Sequence, residues 1–227
     1  MSTRTLSPAA PRPPAPRRHV PRVLVVVADG VALDGTTGVP GWATQWSERS
    51  GWELRRHPET GPFAAAMAAR LDARVLVLRP AEGAAEQATS PSPCVVAAVR
   101  SLPDDAPVVA DAAACAARMG ARLTVVHAVP RSFAERSVGL AGAVAHGQRL
   151  LDTAAEQAVA HEPGLRVDCQ LLRVRPYELV GEGLHADLLV VGGARTDRTA
   201  SGPGAGPGLV AHSALHHAPC PVLLTPR

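Results

Sequence analysis

Five short apolar runs, none with alternating polar positions, constrain this chain more than any other feature. They are 22–28 (Arg-Val-Leu-Val-Val-Val-Ala), 94–99 (Cys-Val-Val-Ala-Ala-Val), 122–129 (Arg-Leu-Thr-Val-Val-His-Ala-Val), 187–191 (Asp-Leu-Leu-Val-Val) and 221–224 (Pro-Val-Leu-Leu). A strand with one wet face alternates polar and apolar residues, whereas a strand covered on both faces reads as continuous apolar sequence. The runs therefore predict a parallel sheet with helices packed on both sides.

The intervening segments supply those helices. Asp104-Asp105 ahead of Pro107 reads as a capped helix start, with acids at the positive end of the helix dipole. Val108, Ala112, Cys115 and Met119 recur at helical spacing, and Gly120 sits where a C-terminal glycine belongs. Further helices are expected over 144–161, 176–184 and 208–217, and a strand over 166–172. From residue 94 the order is β-α-β-α-β-α-β-α-β. That order specifies a Rossmann-like α/β fold with a five-stranded parallel sheet. Ligands in such sheets bind beyond the carboxyl ends of the strands, where strand order reverses. The loops after Val99 and Val191 are thus the candidate site.

The N-terminal portion is less regular. Residues 1–21 carry six prolines and read as a disordered basic tail. Asp29-Gly30 closes the first run with a turn signal, and 30–50 shows no clear period. A strand over 52–57, a helix over 63–71, a strand over 74–78 and a linker over 80–93 complete the segment. Pro62-Phe63, a helix and Ala73-Arg-Val-Leu-Val-Leu78 echo Pro176-Tyr177, a helix and Asp187-Leu-Leu-Val-Val191, 114 positions later (176 − 62). Residues 22–91 are accordingly read as a shortened, degenerate copy of the domain at 92–227. The copy keeps a first strand and candidates for the third and fourth, without a convincing second, and is expected to lean on its neighbour.

Composition narrows the chemistry. With 227 residues, the chain holds one large domain or one and a half small ones. It contains no lysine, which excludes a Walker-type phosphate loop, a Schiff-base enzyme and a lysine-dependent kinase site. All 23 basic residues are arginine, but 20 acids nearly balance them, and aromatics amount to 3%, so nucleic acid is not an expected partner. No apolar run is long enough to span a bilayer and the first twenty residues lack a signal-type apolar stretch, so a cytoplasmic location without membrane attachment is expected. Cys94, Cys115, Cys169 and Cys220 are too widely spaced for a zinc knuckle or a Cys-x-x-Cys redox pair and read as reduced thiols.

Three local motifs point to a family. Gly-Ala-Arg-Leu-Thr-Val-Val-His-Ala-Val (120–129), Ala186-Asp-Leu-Leu-Val-Val-Gly192 and His217-Ala-Pro-Cys-Pro-Val-Leu223 resemble, in order, segments of the universal stress protein family. The resemblance covers 92–227, about 60% of the chain. It implies a regulatory or interaction protein of the stress response, without turnover of a substrate, dimerising through its last strand and binding an unknown protein partner. Members that bind ATP carry Gly-x2-Gly-x9-Gly-Ser or Gly-Thr after the fourth strand, where glycines let the backbone approach phosphate and a helix N-terminus faces the anion.

This chain departs from that pattern. Gly192 and Gly208 match the first and last glycines, but Arg195 stands at the second and Leu209 at the hydroxyl position. The spacing is three residues longer, with Ser-Gly-Pro-Gly-Ala-Gly-Pro at 201–207, and Arg195 or Arg198 is a candidate replacement charge. Arg100 occupies the position of the family's first-loop aspartate, which removes a nucleotide or metal contact. Ala128 matches the residue that holds adenine through its main chain, a contact that tolerates substitution. The candidate nucleotide-binding residues are thus Arg100, Ala128, Gly192, Arg195, Gly208 and Leu209, with no cofactor expected and ATP the alternative.

Other constellations have plainer readings. His212 and His216 share one helix face beside His217, but no further ligand lies at a suitable spacing, and histidines near a helix C-terminus are explained by the dipole. Ser101, Ser201 and Ser213 lack a nucleophile-elbow context, so no catalytic residue is assigned. Trp42, Trp46 and Trp52 read as packing between the two halves.

Overall fold

The computed structural model describes residues 23–28, 39–57, 73–78, 92–130, 139–180, 184–193 and 208–226. In chain order these form β1 (Val23–Ala28), α1 (Gly41–Ser50), β2 (Glu53–His57), β3 (Arg74–Leu78), β4 (Cys94–Ala98), α2 (Ala106–Met119), β5 (Arg122–Ala128), α3 (Leu140–His161), β6 (Val167–Leu172), a 3-10 turn (Glu178–Val180), β7 (Leu188–Gly192), α4 (Leu209–His217) and β8 (Val222–Thr225). The tail at 1–21, Asp29-Gly30, the helix expected over 63–71 and most of the 80–93 linker lie outside the described residues.

The strands make one sheet in the order β2-β1-β3-β8-β7-β4-β5-β6. Residues 92–227 contribute the five expected strands as a continuous parallel block, β8-β7-β4-β5-β6. The α/β class holds, but the sheet is not five-stranded. A second parallel block, β2-β1-β3, extends it to eight. The blocks join where β3 runs antiparallel to β8, with Val75, Leu76 and Val77 opposite Leu224, Leu223 and Val222.

This join corrects the expected role of the last strand. β8 is internal, with β7 on one side and β3 on the other, so no edge of it is open for a twin. The reason is physical: every residue of Val222–Thr225 is buried, and an uncovered apolar strand edge is a liability that some partner must remove. Here the chain supplies its own.

Helices divide the core into two layers. On one face α1, α2 and α3 cover the sheet, packing Trp46, Leu123, Leu151 and Leu223 into one cluster with Leu76 and Leu78 of β3. On the other, Ala211, Ala214 and Leu215 of α4 and Val180 of the 3-10 turn pack on Val96, Leu189, Val191 and Leu224. Strands β4, β7 and β8 are buried at every position, as continuous apolar sequence requires, whereas edge strand β6 exposes Asp168, Cys169 and Gln170.

Several local expectations shift. Helix α1 arises in a stretch with no clear period, because Gly, Trp, Thr and Ser are weak helix formers. Burial of Ala43 and Trp46 against α2 supplies what propensity does not. Helix α3 begins at Leu140, a turn earlier than its apolar period suggests. The helix expected over 176–184 is a single 3-10 turn within its described part.

Candidate functional site

The carboxyl ends of β7, β4 and β5 lie side by side and form the rim on which a ligand would sit. Gly192 ends β7, Arg100 lies two residues beyond β4, and Ala128 ends β5. Gly208 is the residue before α4 and Leu209 its first residue, 76% exposed. Because α4 returns from the end of β7 to the start of β8, its N-terminus belongs to the same rim. Five of the six candidate residues are thus gathered at one end of the sheet. Arg195 lies outside the described residues, as do Arg198 and the glycine-rich 201–207 segment.

The loop after β4 is closed on itself. Fully buried Asp105 stands at the residue before α2, yet its side chain makes no capping bond to that helix. Its Oδ2 instead accepts hydrogen bonds from the backbone N–H of Arg100 (2.6 Å) and of Ser101 (3.1 Å). The helix-cap expectation for Asp105 is corrected accordingly: the carboxylate reaches back over the loop. Two adjacent backbone N–H groups form an anion-binding concavity when they are free. Here a carboxylate of the chain already occupies it.

Neighbouring amides are also engaged. Gly193 N–H donates to Thr225 O at 2.7 Å, and a Cβ at Gly193 would approach that oxygen to 3.3 Å, so glycine suits the close passage of β7 over β8. Val129 N–H donates to Leu172 O at 2.9 Å. His127 Nδ1 lies 2.9 Å from Val99 O, tying the ends of β4 and β5 together. Beneath that histidine, Gly147 of α3 admits Leu171 and His127, since a Cβ there would fall 2.6 Å from Leu171 Cδ1 and 3.0 Å from His127 Cδ2.

Two further features lie at this end of the sheet. Among the described residues no side chain caps the first turn of α4. Arg173, just past β6, is half-buried, with a buried Nε that has no hydrogen-bond partner. The sequence reading placed Asp105 at a helix start and His127 within a strand but gave neither a role at the rim, and it did not single out Arg173. The only signal for His127 and Arg173 was a polar residue within or beside an apolar strand.

The His212 and His216 rings of α4 lie tilted against each other, with 4.5 Å between their centroids. Among the described residues no group of three or more His, Cys, Asp or Glu side chains is placed to hold a metal ion. Also among them, no helix is long and apolar enough to cross a membrane.

The sequence model of the universal stress protein family matches residues 92–226. Among solved structures, the fold is similar to a universal stress protein from Archaeoglobus fulgidus, with 22% identity over 59% of this chain and 97% of that one, TM-score 0.48. It is also similar to the Archaeoglobus fulgidus protein in complex with dAMP, with 24% identity over 59% and 96%, TM-score 0.44. A functionally unknown protein from Pseudomonas aeruginosa PAO1 aligns with 90% of this chain and 92% of its own length, at 15% identity and TM-score 0.45. No curated protein matches the chain significantly.

Proposed function

Because the chain belongs to the universal stress protein family over residues 92–226, we propose that it is a cytoplasmic regulatory or interaction protein of the stress response whose nucleotide site is closed. The observation that carries this reading is the Asp105 carboxylate seated on the Arg100 and Ser101 amides. A phosphate there would meet a buried negative charge at hydrogen-bond range of its own donors, and like charges so placed repel strongly. Arg100 in place of the family's aspartate and Leu209 in place of its hydroxyl point the same way. On this reading the protein acts by binding a protein partner and turns over no substrate.

Residues 22–91 are read as a shortened copy of the same domain. The order β2-β1-β3 repeats the order β5-β4-β7, and α1 lies between β1 and β2 as α2 lies between β4 and β5. On this reading strand β2, at the position where a strand over 52–57 is expected, stands as the second strand of the copy.

The test is calorimetric titration with ATP, with and without magnesium. No heat up to millimolar ATP is expected. Micromolar binding, about 8 kcal/mol, would favour a second reading, an adenine-nucleotide sensor. Uncapped α4 and the Arg173 side chain are the observations behind that reading.

A further inference from the structure

The two outer strands of the sheet are built differently. Strand β2 carries Glu53, Arg55 and Arg56, and Arg55 Nε donates to Glu53 Oε1 at 2.9 Å. Charges so placed discourage a further strand from adding there. The opposite outer strand, β6, reads Val-Asp-Cys-Gln-Leu-Leu, with one charge and no proline, and it exposes Asp168, Cys169 and Gln170. Its ladder shows which backbone groups face outward. Leu123 N–H donates to Arg166 O and Val129 N–H to Leu172 O, both at 2.9 Å. Alternate residues of a parallel strand bond to the same neighbour, so 166, 168, 170 and 172 turn their backbone to β5. Val167, Cys169 and Leu171 turn theirs to the open side, where no described strand lies.

A cleft of about 800 Å³ lies at the amino end of this edge, between the C-termini of α2 and α3 and away from the rim. Ala116, Ala121, Leu165 and Val167 give it an apolar wall. Arg122 and Arg166 line it from adjacent strands, one residue before the paired Leu123 and Val167. Two acids also line it, but Glu162 lies 3.7 Å from Arg118 Nη1 and Asp168 interacts with Arg122. The Arg166 guanidinium has no hydrogen-bond or ion-pair partner among the described residues.

We propose that the β6 edge and this cleft form one docking site for the free C-terminus of a partner protein, which adds to the sheet as an extended strand antiparallel to β6. Running that way, the peptide brings its terminal carboxylate to the amino end of β6, where Arg122 and Arg166 line the cleft, and its last side chain to the apolar wall. A parallel strand would bring an N-terminal ammonium to the same arginines. Main-chain bonds to 167, 169 and 171 supply affinity, and the carboxylate fixes the register. The inference rests on the reading that the protein acts by binding a protein partner, and it gives that partner a place and a chemistry.

Fluorescence anisotropy on the full chain tests this with a dye-labelled hexapeptide of alternating threonine and valine, ending in valine with a free carboxylate. Both residues favour extended backbone and carry no charge. Saturable binding is expected, weakened about tenfold or more by amidating the carboxylate or by Arg166→Ala. Cys169→Pro should abolish binding with the fold intact, because proline there removes an outward donor and no bond to β5. If that variant does not fold, amide exchange of Val167, Cys169 and Leu171 in the unaltered chain takes its place and should slow when the peptide is added. No binding at millimolar peptide overturns the proposal, as does binding indifferent to both amidation and Arg166→Ala. A chain that binds neither this peptide nor ATP loses the site and keeps the closed-rim reading. One that binds ATP at micromolar strength loses that reading whether or not the peptide binds.

Discussion

At the scale of single residues, Asp105 carries the most structural consequence for its size. Replacing it by alanine leaves two loop amides without their acceptor, a change that costs about 1–3 kcal/mol. Thermal melting of Asp105→Ala should therefore fall by several degrees, with Asp105→Asn losing less because it keeps an acceptor oxygen. The sequence announced an acid before a helix but not the direction of its side chain, which depends on the loop folding back within 3 Å. The thiols give a second check. Cys94, Cys115 and Cys220 are buried and Cys169 is exposed, so a native chain should react with one equivalent of a thiol reagent and a denatured chain with four. Burial, with Asp152 and Asp168 nearby, pushes the Cys169 thiol up from its ordinary value. The reactive thiolate is then scarce at neutral pH, and the native labelling rate should climb as pH rises through the alkaline range. A rate that is flat with pH would contradict this.

At the scale of elements, most strands and helices were legible because each carries its own pattern. Strands β4, β7 and β8 are apolar at every position, and α2 repeats apolar residues at helical spacing up to Gly120, whose φ of 62° suits glycine. Helix α1 was not legible, since its stability comes from Trp46 lying against a helix more than fifty residues away in sequence. Helix α3 depends likewise on a contact that the sequence does not display. Gly147→Val should place branched carbon against Leu171 and His127 and lower stability by about 1–3 kcal/mol. Gly147→Ala should be nearly neutral, because Leu171 Cδ1 is the end of a side chain that can shift and alanine gains helix propensity. Equal losses in both variants, measured by urea unfolding, would show that the close contact is rigid.

At the scale of the whole molecule, the two strand blocks share both hydrophobic layers, and neither is insulated from the other. All three tryptophans lie within 42–52, so their fluorescence reports the N-terminal block, while far-UV dichroism is dominated by α2, α3 and α4. The two signals should unfold together in wild type, and Trp46→Ala should lower stability by about 3–5 kcal/mol in both. Fluorescence changing well before dichroism would mean that the blocks part independently. By itself the sequence determined the α/β class, the five strands of 92–227 and the family to which they belong, because hydrophobic period and local turn chemistry are written in neighbouring residues. Strand order pointed to the loops after Val99 and Val191, and the family resemblance to Arg100, Ala128, Gly192 and Gly208. Only the tertiary structure decided that β8 is covered, that Asp105 occupies its own loop, and that Arg74, Asp111 and Thr225 meet. The Arg74–Asp111 and Asp111–Thr225 contacts join residues 37 and 114 positions apart, and no periodicity spans such a distance; the Asp105 contacts span only five and four positions but depend on how the loop folds back once the strands are packed.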